Sequence, residues 1–135
     1  MTTRSQMLGS WQLVRFESRD TATGSISKPL GDDPQGLILY TDDGFMSAQL
    51  APGGTGTTPL AEPGGYIAYT GPFHVDEQAG IVHHEVRMAT MPELLAGPQL
   101  REVHVDHDLL TLSATLTDET GTTTRSTLTW QRATP

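Results

Sequence analysis

Apolar residues recur with period two along most of the chain, in short runs broken by turn residues, which is the pattern of half-buried strands and not of helices. The runs predict eight strands: Trp11 to Glu17, Gly36 to Thr41, Phe45 to Leu50, Tyr66 to Val75, Ile81 to Ala89, Gln99 to Val105, Leu109 to Thr117 and Thr122 to Gln131. Asp42-Asp43-Gly44 supplies a hairpin turn, and further turns are expected at Asp76 to Gly80, Asp106 to Asp108 and Asp118 to Gly121. Evenly spaced strands joined by tight turns suit an antiparallel up-and-down meander closed into an all-β, eight-stranded barrel, because closure removes the edges an open sheet must protect. A β-sandwich is the structural alternative.

Two stretches break the pattern. Residues 51 to 65 are too rich in Gly and Pro for a strand or helix and too long for an ordinary hairpin loop, so they read as a flap or as an insertion without function. In Thr90-Met91-Pro92-Glu93-Leu94-Leu95-Ala96-Gly97, Thr90 and Glu93 fit a capping box, Pro92 a first helical turn and Gly97 a stop, which predicts a short helix near residues 91–96. A length of 135 residues suits one domain spanning 1–135 around one core.

Composition narrows the partners. A net charge of −8 with one lysine, Lys28, disfavours nucleic acid and anionic membrane surfaces, which are held by clustered basic residues. Without cysteine there is no disulfide framework, thiolate nucleophile or cysteine zinc site. No apolar run approaches the roughly 18 residues of a membrane helix, and Met1 to Ser5 leads into the first strand without an apolar signal region, so a cytoplasmic location is expected. The 20 threonines suit pleated, partly wet strand faces.

The order of motifs resembles a known family. Gly9-Ser10-Trp11 is similar to the Gly-x-Trp start of lipocalins, in which the tryptophan closes the bottom of the barrel. Leu8 to Val14, Pro34 to Ala48, Tyr66-Ile67-Ala68-Tyr69-Thr70-Gly71, Val82-His83-His84, Pro92 with Gly97 and Arg101, and Leu128 to Arg132 together resemble the small bacterial and fungal lipocalin-like domain family over nearly the whole chain. The resemblance implies a small β-barrel with a cavity for an apolar small molecule, and a basic residue packed across Trp11, for which Arg101 is the candidate. It fixes no reaction, since fold does not determine function. Related barrels in natural-product clusters act as cyclases or isomerases of polyketide-derived substrates. Two departures stand out: His74 replaces a usual aromatic residue, and the segment from His84 to Pro92 is about one residue longer than the family pattern, which leaves the facing of residues 85 to 91 open.

Strand alternation groups the residues with chemical potential. His83, Glu85 and Arg87 share one face and His84, Val86 and Met88 the other, the second set reading as wall or core. The first is either an inner polar site or an outer solvated stripe. Tyr69 shares a face with Ile67, Gly71 and Phe73, either as a cavity-lining hydroxyl or as a core aromatic. Inside a barrel Arg101 would need a carboxylate or a ligand oxygen, and Glu17 and Glu85 are its candidate partners. His104-Val105-Asp106-His107-Asp108 is read as a polar hairpin, and no metal is expected.

With what the resemblance implies, these residues lead to the expectation of a cofactor-independent cyclase or isomerase that folds an apolar, polyketide-like substrate inside the barrel. Tyr69, His83, His74 and Glu85 are the catalytic candidates, and Trp11, Arg15, Tyr40, Met46, Phe73, Met88, Arg101 and Trp130 the candidate ligand contacts. Tyr69 or Tyr40 would donate to a carbonyl, His83 or His74 would move a proton, and Arg101 would hold an anionic end. The rival readings are a carrier or sensor for a hydrophobic ligand, and an interaction barrel with a filled interior. A homodimer is compatible with either.

Overall fold

In the structure, a computed structural model that describes residues 1–53 and 65–135, the period-two runs become strands β1 (Gly9–Asp20), β2 (Ile26–Ser27), β3 (Gln35–Tyr40), β4 (Phe45–Ala51), β5 (Ile67–Asp76), β6 (Ile81–His84), β7 (Met88–Ala89), β8 (Gln99–Asp106), β9 (Leu109–Thr117) and β10 (Thr123–Arg132). Each of β1, β3, β4, β5, β6, β8, β9 and β10 pairs antiparallel with the next, and β10 returns to pair with β1 from Trp11–Arg132 to Asp20–Thr124. The ring is therefore closed over eight strands, which is the expected barrel and not the sandwich. β2 is a short hairpin arm on β1, and β7 resumes pairing with β5 beyond the end of β6.

Alternate residues point inward, and the register defines the inner set. Trp11 and Leu13 of β1, Ile38 and Tyr40 of β3, Met46, Ala48 and Leu50 of β4, Phe73 of β5, Val82 and His84 of β6, Val103 and Val105 of β8, Leu110 and Leu112 of β9 and Trp130 of β10 are all buried. One end is plugged. A single-turn helix, α1 (Arg4–Met7), brings the Met7 carbonyl to within 2.8 Å of Trp11 Nε1, which donates to it. Arg132 lies 3.7 Å over the Trp11 ring and donates to the carbonyls of Leu8 at 2.7 Å and Gln6 at 3.1 Å. Gly9 permits this approach: at φ +115 it tolerates no ordinary side chain, and a Cβ there would lie 2.9 Å from Arg132 Nη1.

Two bulges reset the alternation. In β1, Leu13 pairs with Trp130 but Arg15 already pairs with Thr129, so Val14 is extra, and the inward set shifts from Trp11 and Leu13 to Phe16 and Ser18. Between β6 and β7, β5 advances from Phe73 to Thr70 while the partner segment advances from His84 to Met88, again one residue more. This is the extra residue expected between His84 and Pro92. It crowds against Gly71, where a Cβ would lie 2.0 Å from the Glu85 carbonyl oxygen.

Elsewhere the local expectations need correction. The helix near 91–96 is present as a 3-10 turn, Pro92–Leu95, but its cap is Met91, and Thr90 instead uses its hydroxyl to accept the Ala68 N–H at 3.0 Å. A Thr/Gln pair forms at α1, where Gln6 Oε1 accepts the Thr3 N–H at 2.7 Å. The flap expected at residues 51 to 65 falls for the most part outside the described residues.

Candidate functional site

Besides the Ser18–Ser126 pair of β1 and β10, the mostly apolar inner wall carries one aromatic group of hydrogen-bonding side chains among the described residues. Tyr40 at the end of β3 and His84 at the end of β6 meet inside the barrel, with the hydroxyl 2.7 Å from His84 Nε2 and both residues buried. Phe73 packs edge-on against Tyr40 at 4.9 Å between ring centroids, and Tyr69, two turns of the pleat from Phe73, stacks at a tilt on His84 at 5.8 Å. Arg101 pairs with the inward-facing Val82 and lies on the same inner face of β8 as Val103. Its positive charge acts on Tyr40, Tyr69 and His84 alike.

Electrostatics fixes the protonation of this group. Burial, more than the neighbouring Arg101 charge, pushes His84 down to about 3, so its imidazole is neutral at physiological pH. Burial likewise raises both tyrosines, well above the usual phenol range for Tyr40, against the opposing pull of Arg101, and keeps both hydroxyls protonated. His84 Nδ1 is buried with no hydrogen-bond partner among the described residues, as is Trp130 Nε1. The cluster is thus a set of neutral hydrogen-bonding groups beside one guanidinium, suited to an electron-rich oxygen on a ligand.

Of the expected ligand contacts, Tyr40, Met46, Phe73 and Arg101 line this interior, and Tyr69 stands beside them. Trp11 and Trp130 are buried in the same core, Trp11 within the plugged end. The remaining candidates lie outside the barrel. Arg15 is turned out by the Val14 bulge and pairs with Glu17 at 3.0 Å, in an outer groove of about 290 Å³ shared with Arg19 and Arg125. Met88 is turned out by the second bulge, which places Ala89 opposite Tyr69 instead, and is 69% exposed.

The histidine assignment is corrected as well. His83 pairs with His74 across β5–β6 and with Leu100 across β6–β8, all on the outer face, and His74 Nε2 is 3.1 Å from Glu85 Oε1 in solvent. The inward residue is its neighbour His84, which alternation reads as wall or core and which is not among the catalytic candidates. The signal that separates them is the hairpin between β5 and β6, where Asp76 pairs with Ile81; counting back from that pair sets Phe73 opposite His84. Nor does Arg101 meet Trp11, Glu17 or Glu85: Arg132 covers the tryptophan, and the two carboxylates pair with Arg15 and His74. At the corner of residues 104 to 108, His107 Nδ1 lies 2.7 Å from Asp106 in an exposed turn.

Among the described residues no three His, Cys, Asp or Glu side chains converge as metal ligands, and no helix is long and apolar enough to cross a membrane. No curated protein matches the chain. The model of the lipocalin-like domain family matches residues 8–133, which includes the Gly9-x-Trp11 plug, all eight barrel strands and the Tyr40–His84 pair. With that match over almost its full length and a closed eight-stranded barrel of the kind that encloses apolar small molecules, the chain belongs to the lipocalin-like domain family.

Proposed function

We propose that the barrel binds a largely apolar small molecule bearing a carbonyl or similar oxygen, and promotes its cofactor-independent cyclisation or isomerisation. The observation that carries this reading is the Tyr40–His84 hydrogen bond at 2.7 Å with Tyr69 and Arg101 on the inner face of a mostly apolar wall. Tyr69 and Arg101 supply donors for an oxygen on which negative charge builds as the carbon skeleton rearranges. Neutral His84 orients the Tyr40 hydroxyl. The wall holds a flexible substrate in one reactive shape, an effect worth several kcal/mol. Such a reaction conserves mass: a bond shifts or closes within one molecule, and protons are redistributed without a leaving group.

Non-catalytic carriage is the second reading, and one observation favours it: an imidazole held down at about 3 is a weak base at neutral pH. The two readings separate in one experiment. Extract from a host strain lacking the chain is incubated with the pure protein, and native mass spectrometry and chromatography follow bound and free compounds. Catalysis predicts that one compound is replaced by an isomer of equal mass with the wild type and with the outer-face His74→Gln/His83→Gln variant, but not with Tyr69→Phe or His84→Gln. A compound that binds and is recovered unchanged establishes carriage. Conversion abolished by the outer-face double variant would overturn the assignment of the site to the interior.

A further inference from the structure

Among the described residues, the pairing around the barrel is interrupted between β8 and β9. The β8–β9 ladder runs from Asp106–Leu109 to Glu102–Ser113 and stops there, although both strands continue. Residues 99 to 101 remain paired with β6, and 114 to 117 with β10, so the two strands run on without bonding to each other. A cleft of about 420 Å³ occupies the gap. It is lined by Arg101, Ala114 and Leu116, on the side that the register gives as inner, and by outward-facing Ile81, Leu100, Glu102 and Thr115, so residues of both faces of the wall meet in it. Its volume is within the range of small-molecule sites, and its rim carries two exposed leucines, Leu100 and Leu116.

Arg101 stands in this gap without a counter-ion. Among the described residues no carboxylate lies within 4 Å of it: Glu102 turns outward to Arg125 at 2.6 Å, Glu17 goes to Arg15 and Glu85 to His74. The guanidinium places one N–H on the Leu100 carbonyl at 2.8 Å, which leaves most of its five donors available. Its charge acts on buried His84, whose Nδ1 has no hydrogen-bond partner among the described residues. Half-buried in this cleft, Arg101 offers a ligand anion an unpaired guanidinium with donors to spare.

We infer that the β8–β9 gap is a side entrance to the barrel and that its ligand is an amphiphilic monoanion, a carboxylate or enolate on an apolar skeleton, with the acid group on Arg101 and the skeleton inside. This rests on the reading that the interior holds a ligand, and two probes of one skeleton keep the two claims apart. The neutral N-phenyl-1-naphthylamine reports on the interior alone, and the anionic 1-anilinonaphthalene-8-sulfonate reports on interior and charge together.

Both are titrated into the full chain by fluorescence at low ionic strength, and their association is timed by stopped flow. The expected result is that both bind, that Arg101→Met weakens the sulfonate probe by at least about tenfold and the neutral probe less than about twofold, and that Arg101→Lys recovers part of the loss. Ala114→Trp, which fills the gap, slows association of both; a Leu100→Trp variant gives the same reading from the opposite strand should the first fail to fold. Equal weakening of both probes by Arg101→Met, or of neither, overturns the anion. Unchanged association in the tryptophan variants overturns the entrance. If neither probe binds the wild type, the ligand-filled interior fails and this inference fails with it.

Discussion

His84 makes the sharpest claim on solution behaviour, because its burial couples folding to acid. The unfolded chain takes up a proton on this imidazole at the ordinary value of 6.5, whereas the folded chain does so only near about 3. Between these values the unfolded state binds more protons, so stability that is fully present above pH 6.5 is lost as the pH falls toward 3. The loss reaches about 2 kcal/mol at pH 5 and about 3 kcal/mol at pH 4, of the order of a third of the stability of a typical domain. Carboxylates also titrate there, so the quantity to measure is the difference between wild type and His84→Gln, whose carbonyl can accept the Tyr40 hydroxyl and carries no proton of its own. Urea unfolding followed by the fluorescence of buried Trp11 and Trp130 gives both stabilities at each pH. The wild type should lose about 2 kcal/mol relative to the variant between pH 7 and pH 5. A difference flat to within about 0.5 kcal/mol would refute a buried neutral His84, as would an imidazole NMR signal for this residue that titrates near pH 6.5.

Two further outcomes test the architecture. Gly71→Ala drives a Cβ to 2.0 Å from the Glu85 carbonyl oxygen and should destabilise the chain by about 2 kcal/mol or more, whereas Gly97→Ala, with nothing within 4 Å, should be neutral or slightly stabilising; equal midpoints in urea would show that the β6–β7 bulge is not held against Gly71. Arg132→Ala removes the cation from the Trp11 face and the two hydrogen bonds to the Gln6 and Leu8 carbonyls, and should cost about 2–3 kcal/mol by the same assay, with Arg132→Lys recovering only part; full recovery by lysine would mean that charge alone, and not the planar fork, closes that end.

The fold was legible because a barrel strand leaves its period in the sequence, and the run boundaries fall within a few residues of the observed ones. What period two does not contain is its own phase. Arg15 follows Trp11 and Leu13 in strict alternation, and only the pairing of Leu13 and Arg15 with adjacent residues of β10 shows that Val14 is extra. Met88 follows His84 in the same way and is turned out by the same device. The length departure before Pro92 announced the second bulge; no residue near Val14 announced the first. Adjacent His83 and His84 are harder still, since Ile81 and Val82 before them are equally apolar and give neither face preference. Tyr40, Tyr69 and Arg101 face inward, and each sits in a run with a clear phase. α1 escaped because four residues carry too little periodicity to register.

The interior cluster is costly enough that its presence carries information. A phenylalanine at positions 40 and 69 and a leucine at 84 would fill the same lumen without a buried, unpartnered Nδ1, whose desolvation costs about 1–3 kcal/mol, and without an arginine facing the wall. The Tyr40–His84 hydrogen bond returns only about 1 kcal/mol of that. The surrounding sheet does not need these groups to close: the plugged end, with Trp11, Met7 and Arg132, and the core from Ile38 to Leu112 hold the ring by apolar contact and backbone pairing. Polar groups that the fold does not require, gathered on the inner face and beside the β8–β9 gap, are better explained by what they bind than by what they stabilise.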